Sequence, residues 1–418
     1  MDKMLDRVCG IDLHKDFIVA CLFCGKNREL RNFGTTTSQL LSCVDWLQSV
    51  QCEMIAMEST GSYWKPIVNI LEAYGLPFMV VNAQHMKNVP GRKYDTGDAE
   101  WIAQLTRSGL LRASYIPSRE QRELRELVTY RKSLIQMLTA ELNRLQKMLE
   151  GSNIKLSSKV SSINGLSARN LLNVMLNGGN ITKEKIEKLY EEKKLSRRLK
   201  ATCDELVEAM NGFMSPLQQK MMKEVFQHID ELNTHIAAIE DDITNHMNDE
   251  EKECSKLIQS IPGIGDMSAN TIISISGTDM TRFPTAQHFA SWGGMCPGNN
   301  ESAGKRKSGK TRKGNRLLKT TLVICAHAAV KNKDSFFYAQ FHRLCGRIGA
   351  KRAYVAVGHS MLISIYHMLK KRVPFKDLGA KYYNQFNPEK KLIAYLKKIE
   401  NLGYTATVTQ PAPAGSTT

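Results

Sequence analysis

Leu124, Leu127, Leu134, Leu138, Leu145 and Leu149 fall three, four or seven residues apart in the segment Arg119–Glu150. That spacing is the period of one long amphipathic helix, about 45 Å at 1.5 Å per residue. Ile229, Leu232, Ile236, Ile239 and Ile243 repeat the alternation in a second long helix that starts near Pro216. Polar chain with Gly151, Gly165 and Gly178-Gly179 separates the two. Together they predict a helical hairpin or a coiled-coil dimer arm, and the pattern suits a plain helical bundle equally well. Whatever else the chain builds must lie before and after this helical middle.

Before it, short apolar runs alternate with helical spacing. Val8–Leu13, Phe17–Phe23 and Glu29–Phe33 read as strands, Ser38–Leu47 as a helix, and Met54–Met57 as a strand. Trp64–Tyr74 reads as a helix, Phe78–Val81 as a strand, His85–Arg92 as a loop and Thr96–Ser108 as a helix. The order βββαβαβα, three strands in hairpin succession followed by α/β alternation, is that of a ribonuclease H-like sheet. After the helical middle, Ile261-Pro-Gly-Ile-Gly265 sits between two apolar helical stretches. It matches a helix-hairpin-helix turn, in which glycines let backbone N–H groups approach a phosphate, so Gly263 and Gly265 are candidate nucleic-acid contacts. Phe289–Gly294, a basic segment and helical stretches to about Arg372 follow, and the low-complexity tail from Thr405 reads as disordered.

Charge separates the two ends. Residues 1–100 carry 10 basic and 12 acidic side chains, whereas residues 301–418 carry 23 and 5, which accounts for the net charge of +17. A polyanionic partner is expected for the C-terminal part, and an acidic site is possible in the N-terminal part. With 42% hydrophobic and 24% charged residues the chain is neither disordered nor fibrous. The ten cysteines are scattered and Cys21/Cys24 is the only CxxC, so no zinc framework is read and the thiols are expected reduced. No signal peptide or membrane span is read, so a cytoplasmic protein without membrane contact, nucleoid-associated when on DNA, is expected.

Two strands end on an acid. Asp12 closes the first in Gly10-Ile-Asp-Leu-His-Lys15, and Glu58 closes the fourth in Ala56-Met-Glu-Ser-Thr-Gly61. Asp95 and Asp98 stand three apart in Lys93–Ala99, on one face of a starting helix. Taken singly, Asp95 serves as well as a helix cap and Asp12 as a strand end. In a ribonuclease H-like sheet the first and fourth strands are neighbours, so the four carboxylates converge. Four hard oxygen ligands suit two Mg²⁺ ions, or Mn²⁺ in their place, which activate an attacking oxygen and steady a leaving one.

The densest local signal is Asn300–Arg316. Eight basic residues and no acid lie between Lys305 and Lys319, with glycines interleaved and aromatics absent. Lys305, Arg306, Lys307, Lys310, Arg312, Lys313 and Arg316 are therefore candidate phosphate contacts rather than base-stacking groups. A serine among such groups is a candidate nucleophile, although serine is equally at home as polar filler in a basic loop.

These motifs in order resemble the DEDD insertion-sequence transposases with a RuvC-like N-terminal domain and a C-terminal serine domain, the bridge-RNA-guided recombinases. GIDLHK at Gly10–Lys15, ESTGSYW at Glu58–Trp64, KYDTGDAEWIA at Lys93–Ala103, PGIG at Pro262–Gly265 and PGNNESAGKRKSGKTRKGN at Pro297–Asn315 carry the resemblance. It implies a RuvC-like DEDD domain over 1–115, a helical coiled-coil or linker region over 116–252, a transposase serine domain over 253–375, and a C-terminal extension over 376–418. It further implies that Asp12, Glu58, Asp95 and Asp98 are the metal tetrad and that Ser302 attacks DNA to form a phosphoserine bond. Its implied partners are donor and target DNA, a noncoding bridge RNA, and further copies of the chain, a dimer assembling to a tetramer. The residues themselves leave two other functions open: a Holliday-junction nuclease that uses water and leaves Ser302 idle, and a non-catalytic nucleic-acid-binding protein.

Overall fold

The computed structural model describes residues 5–59, 61–82, 97–298, 300–302, 305–385 and 388–408, with the backbone alone within 300–307 and 383–391. The chain divides into two compact units, Met1–Arg122 and Glu123–Thr418.

The first unit is a five-stranded sheet: β1 (Arg7–Leu13), β2 (Phe17–Cys24), β3 (Asn27–Gly34), β4 (Met54–Glu58) and β5 (Phe78–Val81), in the order β3-β2-β1-β4-β5. β1/β2 and β2/β3 pair antiparallel, while β1/β4 and β4/β5 pair parallel. The helices are α1 (Thr37–Ser49), α2 (Trp64–Ala73) and α3 (Asp98–Arg107). This is the mixed α/β sheet expected from the alternation of short apolar runs. The expected loop His85–Arg92 lies outside the described residues.

β1 is buried on both faces, which is why it reads as a continuous apolar run. Cys9, Ile11 and Leu13 join Ile55 and Met57 in a core with Val44 and Leu47 of α1 and Val68 and Leu71 of α2. The other face is thin: Ala56 and Val81 meet Ile102 and Leu105 of α3, and Cys21 meets Ala99 and Ala103. β3 is the charged outer strand, with Arg28, Glu29 and Arg31 along it, as an edge strand that must not pair with another chain requires. Burial pushes the Cys21 thiol up to about 11, with Glu100 nearby adding to the shift, so it stays a protonated core residue. All ten cysteines are free thiols.

In the second unit α4 (Arg119–Gly151) and α8 (Pro216–His246) run antiparallel. Arg131 pairs with Glu240 near one end, and Glu141 lies 3.2 Å from Nδ1 of His228 farther along. Leu145 and Leu149 of α4 and Val225, Phe226 and Ile229 of α8 share a core with α5 (Leu166–Leu176), α6 (Lys183–Glu191) and α7 (Cys203–Ala209), which fill the chain between the long helices. Capping boxes at Thr202 and Ser215 start α7 and α8, each satisfying a helix-end N–H that would otherwise lack a partner.

The rest of this unit surrounds α14 (Ala350–Lys371). Its Val357, Met361, Leu362 and Ile365 are fully buried against α12 (Arg316–Ala329), α10 (Asp266–Ser276) and α11 (Ala286–Trp292). α9 (Asp249–Ile258) precedes α10. α13 (Phe336–Ile348), α15 (Gly379–Gln385) and α16 (Pro388–Asn401) complete the helices. A two-stranded ribbon, β6 (Asn300–Ser302) and β7 (Lys305–Ser308), projects between α11 and α12 in chain order. No helix among the described residues is long and apolar enough to cross a membrane.

Candidate active site

In the first unit Asp12 and Glu58 share one end of one sheet face. The parallel register pairs Gly10 with Ala56 and Ile11 with Met57, so the next residues on each strand are the two acids. Alternation along a strand puts Asp12 on the face of Gly10 and Glu58 on the face of Ala56, and that face is the one α3 covers. α3 runs antiparallel to β1. Its Ala99 and Ala103 sit over Gly10, and the Arg107 guanidinium lies 5.9 Å from the centre of the Phe23 ring, opposite Val8 at the far end. The helix therefore starts, with Asp98, at the Asp12 end of the strand. Asp95 lies outside the described residues. Among the described residues no group of three or more His, Cys, Asp or Glu side chains is gathered tightly enough to hold a metal ion.

Two neighbours of these acids were not picked out by their spacing. His14 places Nε2 3.0 Å from Oδ2 of Asp12 and stacks on Phe17, with ring centres 4.5 Å apart. Glu100, in the first turn of α3, is 7% exposed and accepts a 2.6 Å hydrogen bond from Arg28 Nη1 on the edge strand. That ion pair holds the first turn of α3 to β3 and raises the Arg28 guanidinium above its ordinary value, chiefly through the hydrogen bond to Glu100. The signal for His14 was its position two residues past Asp12. Glu100 carried no signal, because its partner lies 72 residues away.

In the second unit Ser302 lies at the tip end of the ribbon, paired with Lys305, while Glu301 pairs with Arg306 and Asn300 with Ser308. The pairing continues towards the base: Gly298 N–H donates to Lys310 O at 2.8 Å, and Arg312 N–H donates to Cys296 O at 3.0 Å. The base is a crossing of two glycines. A Cβ on Gly314 would come within 2.4 Å of Gly294 N, and Gly294 itself has φ +71°. Lys313 precedes that crossing, and Asn315 caps α12 by accepting from Leu318 N–H at 3.0 Å, which sets Arg316 in the first helical turn.

Gly263 and Gly265 take different places. Gly263 has φ +88°, and a Cβ there would meet Ala329 N and Cys325 O of α12, each at 2.5 Å. Its missing side chain is thus required by contact between two backbones of the protein itself. Gly265 is the N-cap of α10, with open space beside it.

Residues 9–154 match the DEDD_Tnp_IS110 family model, described as a transposase. Residues 255–342 match the transposase IS116/IS110/IS902 family. The transposase for insertion sequence element IS1111A of Coxiella burnetii is 22% identical over 377 residues, which cover 88% of this chain and 91% of that protein. A putative transposase, y4pF/y4sB of Sinorhizobium fredii, is 36% identical over 75 residues, 18% of this chain and 19% of that protein. Both family models occur in order and together span more than half of the chain. The chain belongs to the IS110 family of insertion-sequence transposases, and its activity is that of a DNA recombinase.

Proposed function

We propose that the chain is a metal-dependent, serine-using recombinase guided by a noncoding RNA. The observation that carries the reading is the pairing, within one sequence, of two carboxylates on one sheet face with a serine at the tip of a basic ribbon. Asp12 and Glu58 are hard oxygen donors at the ends of adjacent parallel strands, a donor set that fits Mg²⁺ or Mn²⁺ in kind. Asp98 and Asp95 would complete it. Such an ion, when bound, neutralises charge on the scissile phosphate and lowers the pKa of an attacking hydroxyl.

The protein's own groups do the rest. The Ser302 hydroxyl attacks phosphorus and gives up its proton, and the deoxyribose oxygen leaves and takes up one proton in turn, so that one hydroxyl replaces another. One phosphoester bond forms as another breaks, so the freed strand end can reverse the step without an external energy source. Lys310, Arg312, Lys313 and Arg316, with Lys305, Arg306 and Lys307, supply the positive charge that the phosphates of donor and target DNA require. Copies of the chain, as dimers assembling to a tetramer, would let one subunit's acids serve another's serine.

A suicide DNA substrate tests the central step. Denaturing gels of labelled DNA with protein, followed by peptide mapping, should find an adduct on Ser302. Ser302→Ala should lose both adduct and recombination, and Ser308→Ala should keep most of each. Cleavage without an adduct, undiminished in Ser302→Ala, would favour a junction nuclease that uses water. Full recombination by protein freed of all RNA would remove the guide.

A further inference from the structure

α13, α15 and α16 enclose a groove of about 450 Å³. Its walls carry Tyr338, His342 and Tyr395 together with Arg343 and Lys398. Among the described residues Ala339, Ala380 and Ala394 supply the remaining lining. Tyr338 and His342 already lie against each other, with ring centres 4.2 Å apart and planes tilted by 49°. Tyr395 is 61% exposed, so its ring is open to a ligand. The groove is held open from below. Asp377 accepts from the N–H groups of Phe336 and Gly379 at 3.0 and 2.8 Å, and Ala380 N–H donates to Asp334 O at 2.9 Å, which ties the start of α15 to the start of α13.

The surroundings are one-sided in charge. Between Asp334 and Asp377 the sequence has eight Lys or Arg residues and no acid. Arg343 and Arg347 lie one turn apart on α13, and Lys351 and Arg352 open α14 directly after Gly349. Arg343, the first of the four in the chain, lines the groove. The lining residues of the groove include no acid among the described residues.

We propose that this groove binds an unpaired base of a DNA strand, stacked against Tyr395 and the Tyr338–His342 pair, with Arg343 and Lys398 on its phosphate. Aromatic side chains lining a groove, with cations beside them and further basic residues along the chain, are the means by which proteins hold single strands without reading their sequence. The contrast with the β6–β7 ribbon is chemical: that segment has cations and no aromatics, which suits duplex backbone. A volume of this size suits one nucleoside. The inference rests on the chain's action on DNA and not on which group is the nucleophile. Strand exchange leaves unpaired ends that need holding, and this groove would hold one.

The test is fluorescence anisotropy of the full chain with labelled oligo(dT) of about 15 nucleotides, a duplex of the same length, and oligo(U). Tyr338→Ala and Tyr395→Ala should each weaken oligo(dT) binding about 5-fold or more, while duplex binding is unchanged. Tyr395→Trp should bind oligo(dT) as wild type does, with its added indole fluorescence quenched on binding. Wild-type affinity for oligo(dT) in the double Tyr→Ala variant would overturn the proposal. So would an equal loss on duplex, which would make the groove a general anion surface, or a loss confined to oligo(U), which would make its occupant RNA. A wild-type chain that bound none of the three would instead overturn the DNA reading beneath it.

Discussion

Gly10 of β1 lies directly beneath Ala99 of α3: a Cβ at position 10 would stand 2.2 Å from the Ala99 carbonyl oxygen and 2.4 Å from Ala103 N. Two backbones meet there with no side chain between them. The contact lets α3 lie flat on the thin face of the sheet, and it brings the start of that helix to the end of the strand that carries Asp12. The glycine before the acid is therefore part of the site's construction.

Gly10→Ala should push α3 off the sheet. Overpacking of a closed core costs about 1–3 kcal/mol, and backbone on the far side leaves little room to relax, so the upper end of that range is expected. Thermal unfolding should show the loss, and limited proteolysis should cut near α3 first. An unchanged midpoint would mean that the helix does not need this contact.

Asp12→Asn and Glu58→Gln keep shape and remove charge. If these acids hold the proposed metal, strand exchange should fall by about two orders of magnitude or more, because several kcal/mol of charge stabilisation would leave with it. DNA affinity in gel shifts should hold or rise slightly, since one like charge has gone. Metal binding followed by calorimetry should weaken in both. Recombination at wild-type rate in Glu58→Gln would take that residue out of the site.

Neutralising Lys305, Arg306 and Lys307 together should flatten the salt dependence of duplex binding. Each phosphate contact contributes about 0.9 to the slope of log affinity against log salt, so a change of about 2–3 is expected. A titration over a range of salt concentrations reads it directly. An unchanged slope would move the phosphate contacts off the ribbon.

Gly263→Ala and Gly265→Ala should separate. The first must clear the backbone of α12 and adopt φ +88°, so it should lower stability by about 1–3 kcal/mol or more. The second has open space and sits at an N-cap, where the cost should stay within about 1 kcal/mol. If Gly265→Ala nevertheless loses DNA affinity while its unfolding midpoint holds, a phosphate rests on that turn.

The strands of the sheet and the two long helices were legible in the residues because each depends on local periodicity. A strand buried on both faces reads as a continuous apolar run, as Val8–Leu13 does. A helix that packs along its length repeats its leucines every three or four residues, as α4 does. Asp12 and Glu58 were legible too, since an acid that ends an apolar strand is visible in one dimension. Their sharing of one face followed only from the parallel register of β1 with β4, which is a long-range pairing. The Arg28–Glu100 ion pair and the Gly294–Gly314 crossing were decided by tertiary structure alone, because nothing in either local segment specifies its distant partner. The ribbon is the sharpest case. Asn300–Ser302 and Lys305–Ser308 have no apolar alternation, and the base of their pairing is set by two crossing glycines. Gly263 makes the converse point: its motif suggested a phosphate, and the fold put the backbone of α12 against it, because a residue without Cβ serves either contact and only the packing chooses between them.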